Sequence, residues 1–160
     1  MPREKRPLSL NDETDYGLCF VCGPRNRCGL RLRFKQVGDT VTTRFRARKA
    51  HQGFPGYVHG GVISALLDEV MNRVVLLEGR WAMTARVEVR FRRPLKTHET
   101  ALAIGEFVGK RRSFVETKGR VELGGGAVVA EASGTFSLIP DEDLADMSEG
   151  FPKLAAEWMR

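Results

Sequence analysis

Apolar residues fall on alternate positions along several stretches of the chain and at helical spacing along one. Leu30, Leu32 and Phe34 alternate with Arg31, Arg33 and Lys35, the period of a strand with one buried face. Gly38-Asp39 marks a turn, after which Val41, Thr43, Phe45 and Ala47 alternate with Thr42, Arg44, Arg46 and Arg48, so the two segments predict a hairpin. From His59-Gly60-Gly61 onward the period changes. Ile63, Leu67, Val70 or Met71, and Val74 recur at helical intervals, predicting a helix to about Leu77 with Gly79 as its stop. More than half of its circumference is apolar, which predicts burial. Four strand patterns follow. Val87, Val89 and Phe91 alternate with Arg86, Glu88, Arg90 and Arg92 until Pro94; then come Thr100–Val108, Ser113–Leu123 and Ala127–Leu138. Gly124-Gly125-Gly126 supplies a tight hairpin turn, and Pro140 closes the last strand.

Two strands, one long buried helix and four strands predict an α+β chain: a curved, mainly antiparallel sheet of about six strands wrapped around one central helix. That is the architecture of the hotdog fold. One helix covers one side of the sheet only, so the remaining apolar surface predicts self-association as a homodimer, or as a dimer of dimers. The chain shows no repeats or low-complexity tracts. Residues 1–16 are expected as a polar tail, 17–140 as the folded domain, and 141–160 as a helical tail docking through Phe151, Leu154, Trp158 and Met159.

The 160 residues carry a formal net charge of +6, which leaves anionic partners open. No apolar run approaches the ~18 residues that would span a bilayer, and the basic N-terminus has no apolar stretch behind it, so a cytoplasmic chain is expected. There is no helix-turn-helix pattern and no aromatic stacking motif, so nucleic acid is not an expected partner. The three cysteines, Cys19, Cys22 and Cys28, form one C-x2-C-x5-C cluster. Their odd count suits a reducing compartment. Zinc would need a fourth ligand from His51 or a second chain; structural thiols and no metal are the expectation.

The segment His59-Gly60-Gly61-Val62-Ile63-Ser64-Ala65-Leu66-Leu67-Asp68-Glu69 resembles the central-helix motif of the PaaI-like hotdog acyl-CoA thioesterases. That motif has His-Gly-Gly at the helix start and an acidic residue nine positions after the His. Cys19-Phe20-Val21-Cys22-Gly23 with Gly29-Leu30 resembles the leader of a bacterial branch of the family, and Thr84–Pro94 resembles its third strand. The likeness spans about residues 17 to 138.

A helix start offers amides without partners and a partial positive charge, and Gly60 and Gly61 leave those amides open. The resemblance implies that the Gly60 amide is the oxyanion donor. His59 orients or caps the turn, or simply supports the loop. A carboxylate in a largely buried helix is costly and titrates high. The resemblance implies that Asp68 is the general base or the nucleophile, although on the helical wheel alone an exposed or capped carboxylate fits as well. Glu69 is the rival, about 100° round the helix, so only one of the two faces the site. Thr84 matches a family Ser or Thr that positions the attacking water; an ordinary strand threonine is the alternative. Some relatives place an Asn six residues before the His, where this chain has Gly53 with Gln52 beside it.

Gly60 and Asp68 lie about 12 Å apart along one helix, so no single carbonyl reaches both and the site must lie between two subunits. The implied substrate is a small or medium acyl- or aryl-CoA, with coenzyme A as part of the substrate and no separate cofactor. Arg90, Arg92, Arg111 and Arg112, with Arg93 and Lys110, are candidates for its phosphates, or else a solvated strand face. Phe54, Tyr57 and Met71 are candidates for the acyl tunnel.

Two other classes compete. Hydratases and dehydratases of acyl thioesters on this fold use an Asp-x-Asn-Pro run or a His/acid pair; the run is absent, and His98 shows no partner. In a non-catalytic acyl-CoA or lipid-binding module, Asp68 would be structural.

Overall fold

The computed structural model describes residues 17–140; the two tails, and with them Phe151, Leu154, Trp158 and Met159, lie outside the described residues. Strand β1, Phe34–Val37, pairs antiparallel with β2, Thr40–Arg46, around Gly38 at φ +59°. The expected strand from Leu30 is therefore shorter. Leu30 and Leu32 are buried as their spacing predicts, but Arg31 takes a left-handed φ of 53°. Their amides donate to the Phe20 and Val21 carbonyls at 2.8 and 2.9 Å, so this stretch pairs with the cysteine loop and not with β2.

A short 3₁₀ turn, Lys49–His51, and a loop lead to helix α1, Gly60–Leu77. Gly79, at φ +67°, donates to the Leu76 carbonyl and ends it as predicted. Strands β3 (Ala82–Phe91), β4 (Thr100–Arg111), β5 (Phe114–Leu123) and β6 (Val128–Leu138) follow. All six strands form one antiparallel sheet in the order β1-β2-β4-β5-β6-β3, which leaves β1 and β3 as its edges.

The helix lies against the middle of this sheet, and glycine permits the close approach. A Cβ on Gly105 would press into the Val70 carbonyl, and one on Gly119 would stand 3.0 Å from Met71 Cγ. Gly105 and Gly119 are direct partners across β4 and β5, so together they make a shallow seat for α1. Leu66, Leu67, Val70, Met71, Val74 and Val75 fill it and are almost wholly buried. Each such side chain contributes roughly 1.5–3 kcal/mol through burial.

One irregularity positions the site. On simple alternation, Thr84 would share the solvent face of β3 with Arg86 and Glu88. The β3–β6 register shifts between Thr84 and Arg86, a bulge at Ala85 that flips the parity. Ala82 and Thr84 before it, and Val87 and Val89 after it, therefore all turn toward the helix.

Candidate active site

His59 caps α1 with its own side chain. Its backbone is extended (φ −63°, ψ 134°), and Nδ1 accepts the Gly61 N–H at 2.8 Å. A Cβ on Gly61 would stand 3.0 Å from that same nitrogen, so a larger residue there would crowd the cap. The His59 carbonyl accepts from Val62 and Ile63 at 3.0 and 3.4 Å, and its amide donates to the His51 carbonyl at 2.8 Å. His51 is buried with Nδ1 accepting from the Arg48 amide, and burial, aided by the Arg48 charge, lowers its pKa.

Gly60 is left over. Its N–H has no hydrogen-bond partner among the described residues, and it stands at the positive end of the helix dipole. The ring of Phe91 covers its other side, 3.4 Å from where a Cβ would be. The Asn position of some relatives is closed: a Cβ on Gly53 would stand 3.0 Å from His59 Cα, while Gln52 spends its Oε1 on the Gly56 amide.

Asp68 and Thr84 are brought together. The Thr84 hydroxyl donates to Asp68 Oδ1 at 2.9 Å, and Oδ2 has no partner among the described residues. Burial raises the Asp68 pKa; the Thr84 bond pulls it down, and the neighbouring Glu69 adds to the rise. An acid with a raised pKa and one free oxygen can accept a proton from water in a partly closed site.

Glu69 faces elsewhere, as the 100° offset requires. It pairs with Arg73 at 2.8 Å and turns toward Cys19 and Cys22. Arg73 is 3% exposed despite its charge; it donates to Cys22 Sγ at 2.8 Å and lies over the Phe34 ring. The Glu69/Arg73 spacing of four was the readable signal for that pair. Cys28 is exposed and apart, and His51 does not join the cluster, so neither stands as a further ligand beside Cys19 and Cys22.

The arginines do not form one patch within a chain. Arg90 and Arg92 flank Phe91, whose partner is Ala130, and they pair with Glu88 and Glu131. Arg111 ends β4 and Arg112 begins the turn to β5, level with Ser137. Seven residues along β6 separate the two levels, roughly 23 Å. Of the expected tunnel residues, Met71 is wholly buried in the core, while Phe54 and Tyr57 are exposed.

Residues 55–130 match the thioesterase superfamily. A stretch of 62 residues is 31% identical to mouse (Mus musculus) acyl-coenzyme A thioesterase THEM4, covering 39% of this chain and 26% of that protein. The crystal structure of a thioesterase superfamily protein superposes with a TM-score of 0.69 at 28% identity, over 72% of this chain and 61% of that one. A hypothetical thioesterase from Streptococcus pneumoniae TIGR4, solved with coenzyme A, gives a TM-score of 0.64 at 19% identity, over 68% and 85% of the two chains. The match to THEM4 thus spans about a quarter of the length of that relative.

Proposed function

We propose that this chain, a hotdog-fold member of the thioesterase superfamily, hydrolyses an acyl-CoA thioester to a carboxylic acid and free coenzyme A at a site shared by two subunits. The observation that carries the reading is the layout of edge strand β3. Thr84, bonded to Asp68, stands near one end of it; Phe91, against Gly60, stands at the other. Antiparallel pairing of β3 with its copy about a twofold near Val87 and Glu88 sets Thr84 opposite Phe91 of the partner subunit. The same operation brings Asp68 toward Gly60 of the partner subunit, which the ~12 Å along one helix forbids within a chain. It also covers a long edge on which Met83 and Phe91 are 60% and 53% exposed.

In that site the thioester carbonyl oxygen sits on the free Gly60 N–H, which stabilises the charge that develops there during attack. Asp68 Oδ2 takes a proton from water as the water oxygen bonds to the carbonyl carbon. Collapse of the tetrahedral species breaks the C–S bond, and the CoA thiolate leaves with that proton. Thr84 holds the other carboxylate oxygen, fixing which one faces the water. His59 positions the turn through its bond to Gly61. The coenzyme A held by the S. pneumoniae relative supports a CoA thioester, and the basic surface suits its phosphates. No described helix is long and apolar enough to cross a membrane.

Subunit complementation tests the shared site. Gly60→Pro and Asp68→Asn should each be inactive in an acyl-CoA thiol-release assay. Mixed and allowed to exchange, half the dimers pair one chain of each, with one of two sites intact, restoring about a quarter of wild-type activity. No recovery on proven exchange refutes the shared site, and tight acyl-CoA binding without thiol release refutes the enzyme. Single-turnover hydrolysis in ¹⁸O water reads the role of Asp68: label incorporated into its carboxylate would make it the nucleophile.

A further inference from the structure

The cysteine loop holds a second cluster of reactive groups on the side of α1 away from Asp68. Cys19 to Gly23 form one turn of α type, closed by the Gly23 amide on the Cys19 carbonyl at 2.9 Å. Such a turn sets the Cα atoms of residues i and i+3 about 5 Å apart, inside the range a disulfide spans. Sγ of Cys19, Sγ of Cys22 and a Glu69 carboxylate oxygen all lie within 4.8 Å of one another. The two thiols differ in setting. Cys19 is half-exposed and accepts the Cys22 backbone N–H at 3.5 Å, whereas Cys22 is buried between Cys19, Glu69 and Arg73.

We propose that Cys19 and Cys22 are a dithiol–disulfide site, with Cys19 as the attacking thiolate, Cys22 as the resolving thiol and Glu69 as the acceptor of the Cys22 proton. The co-reactant is a low-molecular-weight disulfide. The Cys19 thiolate attacks one of its sulfurs, forming a mixed disulfide and expelling one thiolate. Cys22 gives its proton to Glu69 and attacks the Cys19 sulfur; the intramolecular S–S bond forms and the second thiolate leaves. The chain loses two electrons, and one small disulfide becomes two thiols.

The asymmetry of the pair supports this order. Hydrogen bonds from Cys22 hold the Cys19 thiol at a pKa of about 5, while the same pairing and burial push the Cys22 thiol up. Cys22 therefore needs a base, and Glu69 is the carboxylate beside it, its own pKa raised by burial. A divalent cation is the competing occupant. The Arg73 guanidinium stands against it, 2.8 Å from both Cys22 Sγ and Glu69 Oε1, where a metal would meet a buried positive charge.

The test uses the full chain, reduced and then titrated with oxidised glutathione, with free thiols alkylated and located by peptide mass. The free-thiol count should fall from three to one, with Cys28 remaining free and Cys19 joined to Cys22. Cys22→Ser should stop at one glutathione on Cys19. Glu69→Gln should accumulate that mixed disulfide before closure, and Cys28→Ser should close as the wild type does. Glutathione settling first on Cys22 or Cys28, no Cys19–Cys22 bond at any ratio, or stoichiometric zinc in the purified chain that Cys19→Ser loses would each overturn the proposal. The readout is mass alone, so its failure leaves the thioesterase reading standing, and the reverse holds too.

Discussion

Replacing Gly60 by proline removes the amide hydrogen and puts a pyrrolidine ring in its place. Gly60 is the first residue of α1, the position where proline's missing N–H is least costly and its fixed φ already suits the helix. The preceding His59 sits at φ −63° and ψ 134°, the conformation a residue before proline prefers. No described residue accepts the Gly60 amide, so no bond within the fold is lost. The ring gains a neighbour in Phe91, at ordinary contact distance from a Cβ there. Stability should hold or rise, by about 0.4–1 kcal/mol through the stiffer unfolded chain. Catalysis should not survive. Loss of one oxyanion donor removes roughly 2.7–4 kcal/mol of transition-state stabilisation, about 10²–10³ in kcat, and the pyrrolidine ring occupies the space the carbonyl oxygen would use. Thermal unfolding and steady-state thiol release on the same preparation separate the two effects. A Gly60→Pro variant that folds and hydrolyses within about threefold of wild type would refute the oxyanion assignment, since tenfold is only 1.36 kcal/mol. A variant that does not fold would refute the account of the helix start.

Three further outcomes follow from the same geometry. Because burial raises the folded-state pKa of Asp68, its ionisation costs stability as pH rises from the unfolded value through the folded one; Asp68→Asn should therefore be more stable than wild type at neutral pH, by a margin that vanishes below about pH 4 in pH-dependent thermal melts. The Thr84 bond lowers that pKa, so Thr84→Ala should move the acid limb of the kcat–pH profile upward; an unmoved or lowered limb would separate the titrating group from Asp68. Met83→Lys with Phe91→Lys puts charge at both ends of the exposed β3 edge and should yield an inactive monomer by sedimentation, while a fully active monomer of either protein would end the shared-site reading.

The sequence by itself determined the element order and most of the inward faces. Burial alternates along Leu30 to Phe34 and along β2, and helical spacing placed α1 and its glycine stop, because local periodicity follows directly from where side chains project on a strand or helix. Its resemblance to the thioesterase motif drew attention to His59, Gly60, Asp68 and Thr84; of these, the open helix start and the carboxylate in an apolar helix are also local features. What only the tertiary structure decided depends on contacts between distant segments. Arg31 cuts the first strand short, because the cysteine loop and not β2 receives the amides of Leu30 and Leu32. Strict alternation would have turned Thr84 to solvent; the bulge at Ala85 returns it to Asp68. Arg73 is buried because Glu69, Cys22 and Phe34 surround its charge, and those partners come from three separate stretches of chain. Arg90 and Arg111 look like members of one basic cluster in the sequence yet stand at opposite ends of the sheet, because strand pairing, and not distance along the chain, sets where a side chain lies.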